Sequence, residues 1–167
     1  MSRMARFLKE GVCYYIQSQG VDNQMVFKSD IDYGKFILML KKYKIRFAVS
    51  IYGYCLMPQA LHLVVHPKDA NNLPLFMQGV IQSYALFFNG KYQRAGKVWA
   101  QRYKSALIND DSDLFECIRL IEYLPVIAKQ SDSSVEYPWS SCSYRILGSG
   151  CIVDAMPPIG SIIASHC

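Results

Sequence analysis

The sequence lacks the features that would assign it to a membrane or secreted class. No apolar run reaches about 18 residues, so no segment is predicted to span a membrane. The first residues, MSRMARFLKEG, are basic and then polar, without the apolar stretch of a signal peptide. The six cysteines are scattered and form no CxxC pair, which argues against a zinc knuckle or a disulfide framework and favours buried thiols. We therefore expect a cytoplasmic protein with no membrane partner.

Acidic residues are scarce in the middle of the chain. From Tyr33 to Asn109 there are eleven Lys or Arg residues and one acid, Asp69, a net charge of +10. Because the whole chain has a net charge of +5, the residues outside this segment carry a net charge of −5. This asymmetry favours a polyanionic partner for the middle segment. The alternative is a solvated face balanced by acids that the fold brings near.

Length and pattern together predict one α+β domain. The chain has 167 residues, of which 51% are hydrophobic, enough for a sizeable core. Strands are predicted at 12–18, 45–56, 60–66 and 103–108, and helices at 30–44, 74–89 and 113–123. A turn at Met57-Pro58-Gln59 joins the second and third strands, and Pro125 is expected to end the last helix.

The predicted order matches the βαββαβ pattern of a ferredoxin-like antiparallel sheet with helices on one face, followed by a C-terminal helix and an aromatic segment. Residues 1–148 are assigned to this domain and residues 149–167 to an irregular tail.

One segment of the sequence also resembles a known protein family. The segment GYCLMPQALHLVVHP at 53–67 resembles the metal-binding strand of the REP-associated tyrosine transposases, a single-tyrosine HUH group whose strand reads approximately LMPNHxHLL. Further resemblance lies in GVCYYIQSQG, SYALFFNGKYQRAGKVWAQRYKSALI, LFECIRLIEYLPVIA and EYPWSSCSYRILG, in the family's order.

The resemblance implies cleavage and rejoining of single-stranded DNA. In this family two histidines at i and i+2 of the strand hold one divalent ion, Mg²⁺ or Mn²⁺, which polarises the scissile phosphate. A tyrosine on the last helix attacks to give a 5′-phosphotyrosine intermediate, and an amide side chain four residues later completes the metal site.

Three of the four matching positions depart from this pattern. The second histidine is His62, but the first is Ala60, the tyrosine is replaced by Leu120 and the amide by Leu124. None of these three side chains can do the family's chemistry. We therefore expect no intact catalytic residue, no cofactor and His62 as a remnant of the metal site.

Two other side chains are candidates to replace the missing nucleophile and the missing metal ligand. Tyr123 lies three residues after Leu120, rotated by about 60° and about 4.5 Å further along the helix, and is either a substitute nucleophile or a structural tyrosine. His66 is about 13 Å along the strand from His62, too far to share one ion.

The segment KYQRAGKVWAQRYK at 91–104 holds five basic residues and no acid, with three interleaved aromatics. Basic side chains neutralise phosphates and aromatic rings stack on unpaired bases. The predicted DNA contacts are Lys91, Arg94, Lys97, Trp99, Arg102 and Lys104, with Arg3 and Arg6 as a basic arm. The alternative places Trp99 and Tyr103 in the core and leaves the cations solvated. A second cluster, at Lys41, Lys42, Lys44 and Arg46, is equally a phosphate patch or an ordinary helix end.

The sequence thus predicts a monomeric or homodimeric protein that binds single-stranded or hairpin DNA and no longer cleaves it. An active transposase that uses a divalent ion is the first alternative. A vestigial scaffold without a DNA role is the second.

Overall fold

A computed structural model of the chain describes residues 8–148 and 152–156. Its elements run in the order β1 (Cys13–Gln19), α1 (Asp30–Phe47), β2 (Val49–Met57), β3 (Ala60–Pro67), α2 (Asn72–Lys91), β4 (Lys104–Ile108), α3 (Asp111–Ile127) and α4 (Ser141–Leu147). The strands form one antiparallel sheet in the order β2-β3-β1-β4. This is the predicted ferredoxin-like connectivity, and the α+β fold class is confirmed.

The sheet is covered on both faces. Helices α1 and α2 bury Phe36 and Tyr84 against strand residues that include Leu63 and Val65. On the opposite face α3 buries Ile118 against the set that includes Val64. Because consecutive strand residues point to opposite faces, β3 contributes to both cores. The first two helices thus share one face, as predicted, and the C-terminal helix covers the other.

Helix α1 begins in a capping box and runs further than the sequence pattern predicts. The Ser29 side chain and the Asp32 carboxylate cap each other's backbone groups at its first turn. The segment 45–47, predicted as strand, belongs to this helix, which ends at Ala48 in the left-handed conformation with φ of 51°. The β-branched and aromatic residues there favour a strand only weakly, and continued helical hydrogen bonding overrides that preference.

Pro125 does not end α3. The helix continues through it to Ile127, and Pro125 itself is buried. A proline so close to the helix end removes one backbone donor only from the final turns, and burial of the helix face outweighs that loss. The expectation of a helix end at Pro125 was wrong for this reason.

The aromatic segment after α3 packs onto the sheet, as predicted. The Tyr137 hydroxyl donates to the Leu56 carbonyl at 2.7 Å, and the Trp139 ring stacks on Tyr33 at 4.7 Å between centroids. Of the predicted tail, only residues 152–156 are among those described. There the Asp154 carboxylate accepts from the Lys44 ammonium at 2.6 Å.

No helix among the described residues is both long enough and apolar enough to cross a membrane.

Candidate nucleic-acid interface

A groove of about 230 Å³ opens between the start of β3 and the end of α3, and we call it the β3 groove. It brings together Ala60, His62 and Leu124, three of the four positions that the sequence assigns to the active-site pattern. Ala60 and His62 share a strand face because they are two residues apart, and that face is the one covered by α3. Ala60, His62 and Leu124 therefore line the same groove.

His62 is the only imidazole that lines the groove, and Tyr15 fixes the orientation of its ring. Its ring is 7% exposed, and its Nδ1 is 2.7 Å from the Tyr15 hydroxyl. The two rings are also stacked, with centroids 6.0 Å apart. Burial lowers the pKa of His62 to about 4, so the ring is neutral at physiological pH.

The groove offers few ligands for the divalent ion that the family resemblance implies. Ala60 and Leu124 contribute no lone pair, and none of the groove's lining residues carries a carboxylate. No group of three or more His, Cys, Asp or Glu side chains that could hold an ion occurs in residues 8–148 and 152–156. Two of the three ligand positions of the family's pattern thus have no donor atom in the side chain, so the residues present do not fit that ion.

Leu120 and Tyr123 line a different depression. Both border a cleft of about 890 Å³ between α3 and α4, which we call the α3 cleft. Their side chains are 58% and 50% exposed. Neither belongs to the lining of the β3 groove, so the structure does not bring Tyr123 together with His62. His66, near the far end of β3, stacks on Tyr52.

Two of the predicted basic residues lie beside the β3 groove. Arg102 and Lys104 are exposed and line a small hollow together with Gln17 and Gln19, which also line the groove. In the sheet Gln17 pairs with His62 on one side and with Lys104 on the other. The groove and these two cations therefore form one continuous surface.

The other described cations of the segment lie at the end of α2 and in the loop after it. Lys91 forms an ion pair with Asp32 at 2.6 Å. Arg94 donates to the Asn89 side chain and to the Lys97 carbonyl, and Lys97 is exposed. These contacts give the loop a defined shape before any ligand binds.

Trp99 is a core residue, and the expectation that it stacks on DNA needs correction. It is 6% exposed, and its ring packs against Phe27, Phe36 and Tyr84. A ring enclosed by these neighbours cannot reach a base without unfolding the core. Arg3 and Arg6 lie outside the described residues.

Sequence reasoning did not single out the amide side chains of the groove. Gln17, Gln19, Asn23 and Gln59 line it together with His62. The signal for two of them was present, since Gln17 and Gln19 alternate with buried residues along β1. The others come from connecting segments whose approach depends on the fold.

Comparisons with known proteins identify a similar fold among solved structures but no similar sequence. No protein-family model and no curated protein matches the sequence. Among solved structures, one of a REP-associated tyrosine transposase bound to a REP hairpin matches with a TM-score of 0.73 and 15% identity, covering 94% of this chain and 93% of that one.

The chain has the fold of a REP-associated tyrosine transposase.

A second solved structure, of a candidate transposase from Deinococcus radiodurans R1, matches with a TM-score of 0.48 and 14% identity, covering 73% of this chain and 95% of that one. The match to the transposase fold extends over nearly all of the chain, well beyond β3. The resemblance first read from sequence phrases thus agrees with the three-dimensional comparison. Within this transposase fold the β3 groove is the place where Ala60, His62 and Leu124 converge.

Proposed function

We propose that this protein is a transposase-like DNA-binding protein that recognises single-stranded or hairpin DNA and has lost strand cleavage. The observation that carries the proposal is the continuous surface in which exposed Arg102 and Lys104 adjoin the β3 groove. Cations beside an uncharged groove suit a strand whose phosphates are neutralised while its bases stay accessible. The solved structure of the same fold with a bound REP hairpin supports DNA as the ligand.

Loss of cleavage is supported by the side chains at the family's positions. Leu120 has no hydroxyl to attack a phosphate, and neither Ala60 nor Leu124 has a lone pair for an ion. His62 alone remains, as a neutral ring hydrogen-bonded to Tyr15. We therefore propose that DNA binding needs neither Mg²⁺ nor Mn²⁺.

The binding surface can be tested by removing charge in matched pairs. The double variant Arg102→Ala, Lys104→Ala removes two cations beside the groove. The control Lys35→Ala, Lys68→Ala removes two exposed cations that belong to neither basic cluster, one on α1 and one just after the far end of β3. Because each lost phosphate contact flattens the dependence of affinity on salt, the first variant should reduce the slope of log affinity against log salt by about 1.5. The control should leave the slope unchanged.

Fluorescence anisotropy with a labelled DNA hairpin measures both slopes. Equal effects of the two variants would contradict the proposed surface. Unchanged affinity in both would favour a scaffold without a DNA role.

The enzymatic alternative has its own test. An active transposase would use Tyr123, which is half-exposed on α3, to form a covalent 5′-phosphotyrosine adduct. Incubation of the protein with labelled single-stranded hairpin DNA and Mn²⁺, followed by denaturing electrophoresis, detects such an adduct. We expect none. An adduct that forms with the natural chain and disappears in Tyr123→Phe would overturn the proposed loss of cleavage.

A further inference from the structure

The β3 groove has an uncharged lining of two kinds. Its apolar part comes from Met57, Ala60, Leu124, Ile127 and Ala128. Its polar part comes from the side-chain amides of Gln17, Gln19, Asn23 and Gln59 and from the imidazole of His62. A flat heteroaromatic molecule with polar edges is complementary to such a mixture.

Amide side chains are suited to the edges of nucleobases. Each carries one acceptor oxygen and two donor hydrogens, and such a pair matches the donor and acceptor pattern of a base edge. Gln19 is already oriented, because its amide nitrogen donates to the Asn23 side chain at 2.6 Å. His62 adds an uncharged ring with a fixed orientation, since Tyr15 holds its Nδ1.

The position of the groove next to the cations supports the same ligand. Gln17 lies between His62 and Lys104 in the register of β3, β1 and β4. Because Lys104 and Gln17 are directly opposite each other on adjacent strands, about 4.8 Å apart, a DNA strand whose phosphate contacts Lys104 passes next to the amide of Gln17. A paired base in a duplex presents its face to its neighbours and cannot enter a groove of this kind, so the ligand is an unpaired base.

We propose that the β3 groove is a binding pocket for an unpaired nucleobase, located where the resemblance to the transposases would place a metal ion. The inference rests on the proposed DNA-binding function and adds to it the part of the DNA that is read. The apolar residues Ala60 and Leu124 then shape the pocket in which a base lies, in place of the donor groups of the family's pattern.

Two DNA probes test this pocket. Both are hairpins with four unpaired nucleotides on each side, and in the second probe these nucleotides are abasic. Binding is measured by anisotropy in EDTA, so that no divalent ion contributes. Because base contacts are lost while phosphates remain, the natural protein should bind the abasic probe about tenfold more weakly.

Substitutions test whether the difference in affinity between the two probes arises in the β3 groove. Ala60→Phe fills the groove without a change of charge, and Gln17→Leu removes an amide at nearly constant volume. Either should bind both probes equally. Gln101→Leu is the matched control, because Gln101 lines the hollow beside Arg102 and not the groove, and it should keep the tenfold difference. Gln17→Leu decides the matter if Ala60→Phe fails to fold.

Lys104→Ala separates this inference from the proposed function, since it should weaken binding of both probes alike. If Lys104→Ala does so while the natural protein binds both probes equally, or while Gln17→Leu keeps the difference, the base pocket is wrong and DNA binding stands. If the difference appears only with added Mn²⁺, the groove is a metal site and the inference is overturned. If neither probe binds at all, both proposals fail.

Discussion

Asp32 joins the helical layer to the segment that carries the basic residues. Its carboxylate is fully buried and accepts hydrogen bonds from the backbone of Lys28 and Ser29, from the Lys91 ammonium and from the Tyr92 hydroxyl. Burial alone would raise the pKa of Asp32, but these hydrogen bonds together outweigh it and hold the pKa below its ordinary value. One side chain thus caps α1 and fixes the start of the loop after α2.

Asp32→Ala should lower the free energy of unfolding by about 2–3 kcal/mol, because it removes a helix cap and several hydrogen bonds to a buried charge. Urea denaturation measures this loss. The control Asp30→Ala, at an exposed position of the same helix turn, should cost less than about 1 kcal/mol. Similar losses in both variants would contradict the role assigned to Asp32.

The contribution of Asp32 should also depend on pH. A carboxyl whose pKa is lowered by folding stabilises the native state above the unfolded value, here near 3.8, and loses this effect as pH falls through the folded value. The difference between the natural chain and Asp32→Ala should therefore be constant from pH 5 to 7, as checked by repeated denaturation, and shrink below about pH 4. If the difference in unfolding free energy stayed the same below pH 4, the negative charge of Asp32 would not be the source of the stabilisation.

His62 should titrate far below an ordinary histidine. Burial lowers its pKa from 6.5 to about 4, so the unfolded chain takes up a proton at a higher pH than the folded protein does. The stability due to a neutral His62 is therefore lost as pH falls from about 6.5 to 4, by roughly 3 kcal/mol. NMR titration of the imidazole nitrogens measures the midpoint directly. A midpoint near 6.5 would mean that the ring is solvated, and the description of the groove would be wrong.

Among the elements, α3 shows best which structural features the sequence predicts and which it does not. Apolar spacing predicts a buried stripe of Leu114, Cys117, Ile118 and Ile121; the three aliphatic side chains are buried, and Cys117 is half-buried. Its continuation through Pro125 does not follow, because it depends on packing against the sheet. The start of β2 was misplaced for a similar reason, since 45–47 have strand-like residues but lie within α1.

The position of α3 against β3 predicts that a metal site can be rebuilt. In the triple variant Ala60→His, Leu120→Tyr, Leu124→Asn, an imidazole and an amide are added where His62 already lines the groove. We expect Mn²⁺ binding by calorimetry at least about tenfold tighter than for the natural chain, because three ligands then converge on one ion.

A control variant changes Ala60→His and Leu120→Asn, which places the amide outside the lining of the groove, and should show no such gain. The same weak heat signal from the triple variant and from the control would mean that the assigned positions do not meet.

At the scale of the whole molecule, the fold was predictable and the binding surface only partly so. The order of strands and helices follows from periodicity, and the resemblance pointed to Ala60, His62 and Leu124, which do converge. Charge pattern indicated the basic segment, but it could not separate Trp99, which is buried, from Arg102, which is exposed. That distinction depends on which loop residues pack on Phe27 and Tyr84, and no local pattern encodes it.

We propose that the whole molecule recognises nucleic-acid structure and not phosphate charge alone. The most direct test compares a fluorescent single-stranded hairpin with an unstructured strand of equal length, across a salt titration. We predict a preference for the hairpin that persists as salt rises, because shape and base contacts are less sensitive to salt than phosphate contacts are. Weak binding that is equal for both DNAs and abolished by salt would contradict the account and leave only generic attraction to phosphates.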